Sequence, residues 1–209
     1  MELKVDKIEK YLDGKKILDK IELDMQGGHV YGIVGRNGSG KTMLFRAISG
    51  LIKLNSGKII YNGQELSKNL SVLPSLGMII ENTNMYPEFT GYQNLKMLAK
   101  IKGIIGKKEI ISALKRVGLD PDDKRSVRKY SLGMKQRLAI AQAIMEKPEV
   151  LMFDEPTNGL DEEGIKMLHN IIKEEKNRGS IILLASHNRE DIELLADVVY
   201  KISYGKLEN

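Results

Sequence analysis

The chain has 209 residues, a formal net charge of +5 and no cysteine, which suits one α/β domain with a large core and a reducing cytoplasm. The lack of cysteine excludes a disulfide framework and a cysteine-ligated metal, and scattered lysines with only 5% aromatic residues argue against a nucleic-acid surface that stacks bases. The N-terminus has no signal-peptide pattern, and no apolar run approaches the ~20 residues of a membrane span, so we expect a soluble protein.

The first elements of the chain are predicted to be short strands. Residues 1–28 are interpreted as strands around a turn at Asp13-Gly14, since this dipeptide favours a tight reversal. Residues 58–61 are predicted as a further strand, closed by the Asn62-Gly63 pair that is typical of a β-hairpin. Together these segments predict a small antiparallel sheet beside the main core.

The most specific pattern follows an apolar strand predicted at residues 30–34. Residues 35–42 fit the phosphate-loop pattern G-x-x-x-x-G-K-[ST] at every fixed position, and a predicted helix continues to Ser49. The glycines let the backbone approach an anion, so that N–H groups and the positive end of the helix face phosphates. Lys41 supplies a positive charge and Thr42 a hydroxyl for Mg²⁺. The candidate phosphate contacts are Gly35, Arg36, Asn37, Gly38, Ser39, Gly40, Lys41 and Thr42.

The middle of the chain has the periodicity of helices. Thr90 followed by Gln93 is a capping-box pattern, which predicts the start of a helix. Apolar residues at helical spacing follow in two stripes, Leu95, Leu98 and Ile101, then Ile110, Ile111, Leu114 and Val117. Gly118 and Pro121 end the second stripe. We interpret both stripes as core packing and residues 83–147 as mostly helical.

Apolar strands return late in the sequence. Residues 150–153 are a continuous apolar run of the kind buried on both faces of a parallel sheet, and residues 180–185 and 198–202 are two more. A predicted helix from Glu162 to Arg178 joins the first two runs. The fold class is therefore α/β with a mostly parallel sheet.

Two carboxylates follow the first of these late strands. In α/β folds, ligand sites form at the carboxyl ends of the strands. Phosphoryl transfer needs an acidic group to hold Mg²⁺ and its waters, and Asp154 is placed for that task. Glu155 is the candidate to orient and activate the attacking water. Because a phosphate loop lies upstream, the pair predicts a Mg²⁺-dependent phosphoryl-transfer site.

Several segments, in this order and spacing, resemble those of the ATP-binding subunit of ABC transporters. They are the phosphate loop at 35–42, a Q-loop around Glu81, a signature segment at 130–137, a Walker B end at 154–157, a D-loop at 158–161 and a switch histidine, His187. The resemblance spans nearly the whole chain. It implies a P-loop NTPase core over residues 1–82 and 148–209, with an N-terminal antiparallel β subdomain, and a helical subdomain over residues 83–147.

The same resemblance implies roles for individual residues, with ATP and Mg²⁺ as cofactors. Tyr11 resembles the aromatic residue that stacks on adenine, and His187 matches the histidine that contacts the γ-phosphate beside catalytic Glu155. Ser131 and Gly133 of the signature segment would reach the nucleotide held by a second chain. The residues expected to face the metal are Thr42, Glu81 and Asp154.

Two segments depart from the family pattern. The usual signature reads Leu-Ser-Gly-Gly-Gln, whereas Leu132 here replaces the first glycine and Met134 the glutamine. The Q-loop has Glu81 where glutamine is usual. With the Glu-Pro-Thr-Asn-Gly-Leu-Asp run after residue 154, these departures resemble the bacitracin- and lantibiotic-export branch, which implies an ABC-2-type exporter. Gln136 and Arg137 open the next predicted helix and are interpreted as a solvated helix face.

The resemblance also implies partners. Family members pack two ATPase chains head to tail around ATP, so a second such chain is expected, in a homodimer or a homologous heterodimer. Since this chain has no membrane span, a separate permease is expected to hold it at the inner face of the cell membrane, on the cytoplasmic side. The groove beside residues 81–92 is the expected docking surface, and nucleic acid is not an expected partner.

Two other functions stay open at this point. One is a nucleotide-dependent dimerising regulatory module with little hydrolysis, which the altered signature segment supports and the presence of Glu155 and His187 opposes. The other is a soluble non-transport ABC ATPase of translation or DNA repair. Those relatives carry two ATPase units or long heptad coiled coils, and the sequence has neither.

Overall fold

The computed structural model describes residues 1–66, 72–81 and 85–208, which form ten strands and six α-helices. The strands are β1 Glu2–Leu12, β2 Lys15–Gln26, β3 His29–Val34, β4 Ser56–Tyr61, β5 Gln64–Leu66, β6 Leu76–Ile79, β7 Val150–Asp154, β8 Ile181–Ala185, β9 Val198–Ser203 and β10 Lys206–Glu208. The helices are α1 Lys41–Ser49, α2 Gly91–Lys102, α3 Lys107–Arg116, α4 Leu132–Ile144, α5 Glu162–Asn177 and α6 Arg189–Leu195.

The N-terminal strands form an antiparallel sheet in the order β2-β1-β4-β5. Its tight turns are the predicted Asp13-Gly14 and Asn62-Gly63 pairs, and all four residues have positive φ, as a type I′ turn requires. The predicted antiparallel sheet is therefore confirmed. β1 and β2 are longer than the short strands expected, with 11 and 12 residues, because register shifts along the pair accommodate its twist without ending it.

The remaining strands form a sheet in the order β10-β9-β3-β8-β7-β6. β9, β3, β8, β7 and β6 run parallel, and only β10 is antiparallel among these six. The predicted mostly parallel sheet is confirmed, with one difference. Val199 on β9 is 52% exposed rather than buried on both faces, because its side chain lines an open cavity.

The helix predictions agree with the structure in type and nearly in length. α2 begins at a capping box in which the Thr90 hydroxyl accepts the Gln93 N–H at 3.2 Å and Gln93 Oε1 accepts the Thr90 N–H at 2.9 Å. α5 begins at Glu162 as predicted and ends at Asn177, one residue early. Among the described residues, no helix is long and apolar enough to cross a membrane.

Two residues of the predicted apolar stripes do not belong to the core. Ile101 on α2 is 79% exposed, and Ile111 on α3 is half-buried. The first prediction is wrong because repeated steps of three residues drift off one face of a helix with 3.6 residues per turn. α2 packs through Leu95 and Ala99, which are four residues apart.

The parallel sheet separates two hydrophobic clusters. Along β7, Leu151 and Phe153 face the cluster that contains residues of α2 to α6, whereas Val150 and Met152 face the cluster with α1 and the antiparallel sheet. This alternation is what a strand requires. All four side chains are fully buried, so the prediction that this strand is covered on both faces is confirmed.

The strand order decides which loops meet. β3, β8, β7 and β6 are consecutive neighbours in the sheet, and their carboxyl ends lie along one edge. The segments that leave these ends are the phosphate loop, His187, Glu155 and Glu81 respectively. The fold therefore collects residues that are far apart in the chain, at the edge where ligands bind in such sheets.

Candidate nucleotide site

The phosphate loop connects β3 to α1 in a tight turn. A Cβ at Gly35 would lie 2.3 Å from the Ile202 carbonyl oxygen and 2.6 Å from Ser39 Oγ, so no side chain fits there. Gly40, the last residue before α1, has a φ of 113°, a conformation that favours glycine. The loop thus brings bare backbone to the N-terminus of a helix, which is an anion-binding arrangement.

Two side chains of the loop lack the partners expected for buried polar groups. Lys41 is buried, and its Nζ donates to the carbonyl oxygens of Gly35 at 2.8 Å and Arg36 at 3.3 Å. Both hydrogen-bond partners are neutral carbonyls, so this buried charge has no anion in direct contact among the described residues. The buried Ser39 Oγ has no hydrogen-bond partner within the described part of the chain. A phosphate group would neutralise the lysine and offer the serine an acceptor, so the residues present fit a nucleotide phosphate.

A hydroxyl and a carboxylate meet where the loop joins α1. Thr42 Oγ1 donates to Asp154 Oδ2 at 2.5 Å. Burial raises the pKa of Asp154, and the nearby carboxylates of Glu155 and Glu81 raise it further, against the Thr42 hydrogen bond and the charge of Lys41. Within the described ranges, no group of three or more His, Cys, Asp or Glu side chains could hold a metal alone. One carboxylate and one hydroxyl beside a phosphate site suit Mg²⁺.

We expect Asp154→Asn to raise the free energy of unfolding of the ligand-free protein at neutral pH, because the substitution removes a carboxylate whose charged form is disfavoured by burial. The pKa of Asp154 is raised above its ordinary value of 3.8, so between the two values the folded protein binds more protons than the unfolded chain. The wild-type free energy of unfolding should therefore fall as pH rises through that window. Urea unfolding between about pH 4 and about pH 7 checks this slope, which should flatten in the variant.

Asp161→Asn is the matched control for this experiment. Hydrogen bonds from the Gly164 N–H and the Arg137 guanidinium lower the pKa of Asp161, so its substitution should destabilise the protein instead. If Asp154→Asn were no more stable than wild type at neutral pH, burial would not be the dominant effect on this carboxylate.

Glu155 and His187 are brought into direct contact. Glu155 Oε2 accepts the backbone N–H of His187 at 3.1 Å and lies 2.6 Å from its Nδ1. The Glu155 N–H donates to the carbonyl of Ala185 at 2.8 Å. Glu155 has a φ of 51°, a left-handed conformation that costs a non-glycine residue on the order of 1 kcal/mol. Such strained backbone is frequent at functional sites, and here it holds the Glu155 carboxylate against His187.

Glu81 contacts a cation that the sequence analysis did not single out. Glu81 Oε2 lies 2.9 Å from an Arg46 Nη2 on α1, and Glu81 also has a positive φ of 55°. Arg46 is four residues after Thr42, so both lie on the same face of α1. That spacing was the sequence signal that could have placed Arg46 at the site. The pair gives Glu81 a cationic partner within the protein, at the site edge.

A cleft of about 610 Å³ unites most of these residues. Its lining includes Asn37, Gly38, Gly40, Lys41, Thr42, Glu81, Asp154 and Glu155, together with Ile17, Met43, Leu132, Gln136 and Asn158, which the sequence analysis had not placed at the site. Gly35, Arg36 and His187 line an adjoining cavity of about 580 Å³ instead. Tyr11, Ser131 and Gly133 are not among the residues lining either space.

Tyr11 lies at the end of β1, beside the first hairpin. It pairs across the hairpin with Lys16, whose Nζ lies 5.3 Å from the centre of the tyrosine ring. The ring is partly exposed. Ile17, the neighbour of Lys16, is the residue of this hairpin that lines the main cleft.

The signature segment is attached to the loop that follows Asp154. Ser131 is the N-cap of α4, with its Oγ accepting the Met134 N–H at 3.2 Å. Leu132 is 70% exposed and covers Gly159, where an added Cβ would come within 2.7 Å of its Cγ. The leucine that departs from the family pattern thus packs on the D-loop glycine of its own chain.

Gln136 and Arg137 are not the solvated helix face that the sequence suggested. Gln136 Nε2 donates to the Pro156 carbonyl at 2.8 Å. Arg137 donates to the Val117 carbonyl and to Asp161 Oδ1, both at 3.0 Å. The prediction was wrong because these partners lie 20 and 24 residues away, and only the packing of α4 against the end of α3 and the segment before α5 brings them within reach.

A family model described as ABC transporter matches residues 18–158. An uncharacterized ABC transporter ATP-binding protein of Bacillus subtilis, YybJ, is 47% identical, with 92% of this chain and 88% of the relative covered. The lantibiotic transport ATP-binding protein SrtF of Streptococcus pyogenes is 38% identical, with 98% and 88% covered. The bacitracin transport ATP-binding protein BcrA of Bacillus licheniformis is 42% identical, with 98% and 68% covered.

A solved structure described as an ATP binding subunit of an ABC transporter is similar over the whole chain. It superposes with a TM-score of 0.89 at 25% identity, and the match covers 100% of this chain and 89% of the other. The predicted fold class and the resemblance found in the sequence motifs are both confirmed.

Proposed function

Because this chain belongs to the ABC transporter family, as one of its ATP-binding, ATP-hydrolysing subunits, we propose that it powers a membrane exporter of a peptide antibiotic or similar compound. The observation that carries the catalytic part is the 2.5 Å contact between Thr42 and Asp154 at the mouth of the phosphate loop, with the Glu155–His187 pair at the next strand end. The kind of cargo is supported by relatives named for lantibiotic and bacitracin transport.

We assign the parts of the site by their chemistry. The backbone of residues 35–42 and the Lys41 ammonium hold the phosphates. Thr42 and Asp154 would hold Mg²⁺, with Glu81 within reach once it leaves Arg46. The metal neutralises developing charge on the phosphates when it is bound. Glu155 accepts a proton from the attacking water, and His187 holds the Glu155 carboxylate in position and faces the γ-phosphate.

A second ATPase chain would complete this site. Ser131 and Gly133 open α4, so their backbone N–H groups form the positive end of a helix, yet they do not line the cleft of their own chain. We propose that they meet the ATP of a second chain in a homodimer or a homologous heterodimer. Tyr11 on the exposed hairpin would stack on the adenine.

The test of the ATPase is phosphate release from ATP by the purified chain, with Mg²⁺ or with excess EDTA. We expect release that depends on Mg²⁺ and rises more than linearly with protein concentration, since two chains form each site. Phosphate release that is unaffected by EDTA would contradict the proposed metal site. ATP binding without any phosphate release would favour a regulatory module. The contact between Glu155 and His187 argues for hydrolysis.

We propose that the chain divides into the two subdomains that the sequence motifs suggest. Residues 1–82 and 148–209 would form the nucleotide-binding core with its β subdomain, and residues 83–147 the helical subdomain. This boundary passes through residues 82–84, which lie outside the described residues. α2, α3 and α4 share one hydrophobic cluster with the parallel sheet, which supports a helical subdomain that packs closely on the core.

The permease would dock beside the start of α2. Of the proposed docking segment 81–92, residues 82–84 lie outside the described part. Tyr86 is 54% exposed, and its ring lies 5.8 Å from that of Phe89. The buried Asn94 fixes this loop, because it accepts the Tyr86 N–H at 2.7 Å and donates to the Tyr86 and Thr90 carbonyls. A rigid exposed aromatic pair is typical of an interface anchor.

We expect Tyr86→Ala to weaken the stimulation of ATP hydrolysis by the permease while leaving the basal rate within about twofold. Loss of an aromatic anchor at an interface costs about 1.4 kcal/mol or more, so the permease should bind at least about tenfold more weakly. The measurement is ATPase activity in membrane vesicles across a range of permease concentrations. Ile104→Ala removes another exposed apolar side chain, beyond the opposite end of α2, and should have no effect. Equal effects of both variants would contradict this docking surface.

A further inference from the structure

Asp191 is a buried carboxylate for which the proposed chemistry has no use. It lies in the first turn of α6 and is only 3% exposed. Its Oδ1 is 2.8 Å from His169 Nε2 on α5. Its Oδ2 accepts hydrogen bonds from the hydroxyls of Thr157 at 3.3 Å and Ser186 at 3.5 Å. Both oxygens are therefore committed to side chains from three different segments.

These partners sit next to the two groups assigned to hydrolysis. Thr157 is two residues after Glu155, and Ser186 immediately precedes His187. The Ser186 hydroxyl also accepts the Asn188 N–H at 3.0 Å, which closes the turn around His187. One carboxylate thus joins the segment carrying Glu155 to the segment carrying His187, and neither Asp191 nor Thr157 is among the residues that line the main cleft.

A buried carboxylate is retained at this place at a cost. Removing a charge from water is unfavourable unless hydrogen bonds and a partner compensate, and an apolar residue could fill the same volume more simply. A carboxylate can orient its neighbours, since its two oxygens accept hydrogen bonds from several donors at defined angles. A displacement of about 1 Å in a catalytic group can reduce a rate about a hundredfold.

We propose that Asp191 is a positioning residue for ATP hydrolysis, which, through Thr157 and Ser186 and with His169 behind it, holds the Glu155 and His187 segments in register. This inference rests on the proposed role of Glu155 and His187. It assigns Asp191 no contact with ATP. The nucleotide-binding loop is on another segment, so ATP affinity should be independent of Asp191.

The first test compares Asp191→Asn with Glu190→Gln. Both remove one negative charge from the same turn of α6, but Glu190 is exposed. We expect Asp191→Asn to lower kcat about tenfold to about a hundredfold with KM for ATP within about twofold, the pattern of an interaction that acts in the transition state. Glu190→Gln should keep the wild-type kcat. Equal kcat values for the two variants would overturn the proposal, as would a KM increase that accounts for the whole effect.

A second pair of variants covers the case in which Asp191→Asn fails to fold. Thr157→Val removes the hydroxyl at nearly constant volume and should lower kcat with KM little changed. Thr157→Ser retains the hydroxyl and should keep kcat close to the wild-type value. A merely structural contribution would lower the melting temperature without this difference in kcat. If Thr157→Ser were as slow as Thr157→Val, the tie through the hydroxyl would be wrong.

The double variant Asp191→Asn, Thr157→Val separates a shared tie from two independent effects. We expect its loss of kcat to be close to that of the larger single variant, since both substitutions break the same contact. Multiplicative losses would argue against the tie. Glu155→Gln serves as the reference for the proposed function. If that variant hydrolysed ATP normally, the proposed function would fail, whereas normal kcat in Asp191→Asn alone would overturn only this inference.

Discussion

Glu155→Gln is expected to lower phosphate release about a thousandfold while ATP binding is retained, within the range of general base catalysis. The glutamine amide oxygen can still accept the His187 N–H that Glu155 Oε2 accepts at 3.1 Å, so the local geometry is preserved. What is lost is the negative charge that takes the proton from water. If two chains close around ATP, the variant should also accumulate as an ATP-bound dimer.

The measurement combines three readouts on one preparation. Phosphate release gives kcat, equilibrium titration gives ATP affinity, and light scattering with and without ATP gives the mass of the particle. Glu163→Gln is the matched control, since Glu163 is an exposed glutamate in the first turn of α5. Unchanged phosphate release by Glu155→Gln would exclude Glu155 as the base. A monomer at saturating ATP would contradict the two-chain site.

Lys41→Ala should raise the dissociation constant for ATP at least about a hundredfold, equivalent to about 2.7 kcal/mol. Charge-assisted hydrogen bonds to phosphate contribute about 1.5–3 kcal/mol each, and Lys41 is the loop residue that carries a buried positive charge. Its Nζ also bridges the Gly35 and Arg36 carbonyls, so the variant loses support for the loop as well as the charge. Hydrolysis should fall with binding.

Titration of ATP by calorimetry checks this result directly. Lys173→Ala removes an exposed lysine from α5 and should leave the affinity unchanged, which separates the local charge from the net charge of the protein. The melting temperature of the ligand-free variant should stay close to that of wild type, since the loss of the two hydrogen bonds is offset by the removal of a buried charge. Normal ATP affinity in Lys41→Ala would be incompatible with the phosphate site.

Local segments were predictable because their geometry depends on residues close together in the chain. The glycine loop between β3 and α1, the Thr90 capping box and the turn at Asn62-Gly63 each follow from a few consecutive residues. β7 was predictable for a related reason, since a continuous apolar run is typical of a strand buried on both faces in the middle of a parallel sheet. The apolar run in β9 was misleading, because the exposure of a strand's faces depends on which elements pack on them, and Val199 lines an open cavity.

The pairings within the site were not predictable in the same way. Arg46 with Glu81, Gln136 with the Pro156 carbonyl, Leu132 over Gly159 and Asp191 with Thr157 all join residues on separate elements. Gln136 is a polar residue of the kind found on a solvated helix face, and no local sequence pattern distinguishes it from an exposed residue. Its environment depends on which elements pack together.

The sequence by itself determined the chemistry of this protein, because the phosphate loop, Asp154, Glu155 and His187 are recognisable from residue type and spacing. The tertiary structure alone decided how these groups are held. The neighbouring ends of β7 and β8 place Glu155 against His187, and Thr42, which follows β3, meets Asp154 although β8 lies between β3 and β7. A buried carboxylate on α6 hydrogen-bonds to Thr157 and Ser186 beside Glu155 and His187. The physical reason is that spacing along the chain specifies a local turn, whereas contact across a sheet depends on the order in which the strands assemble.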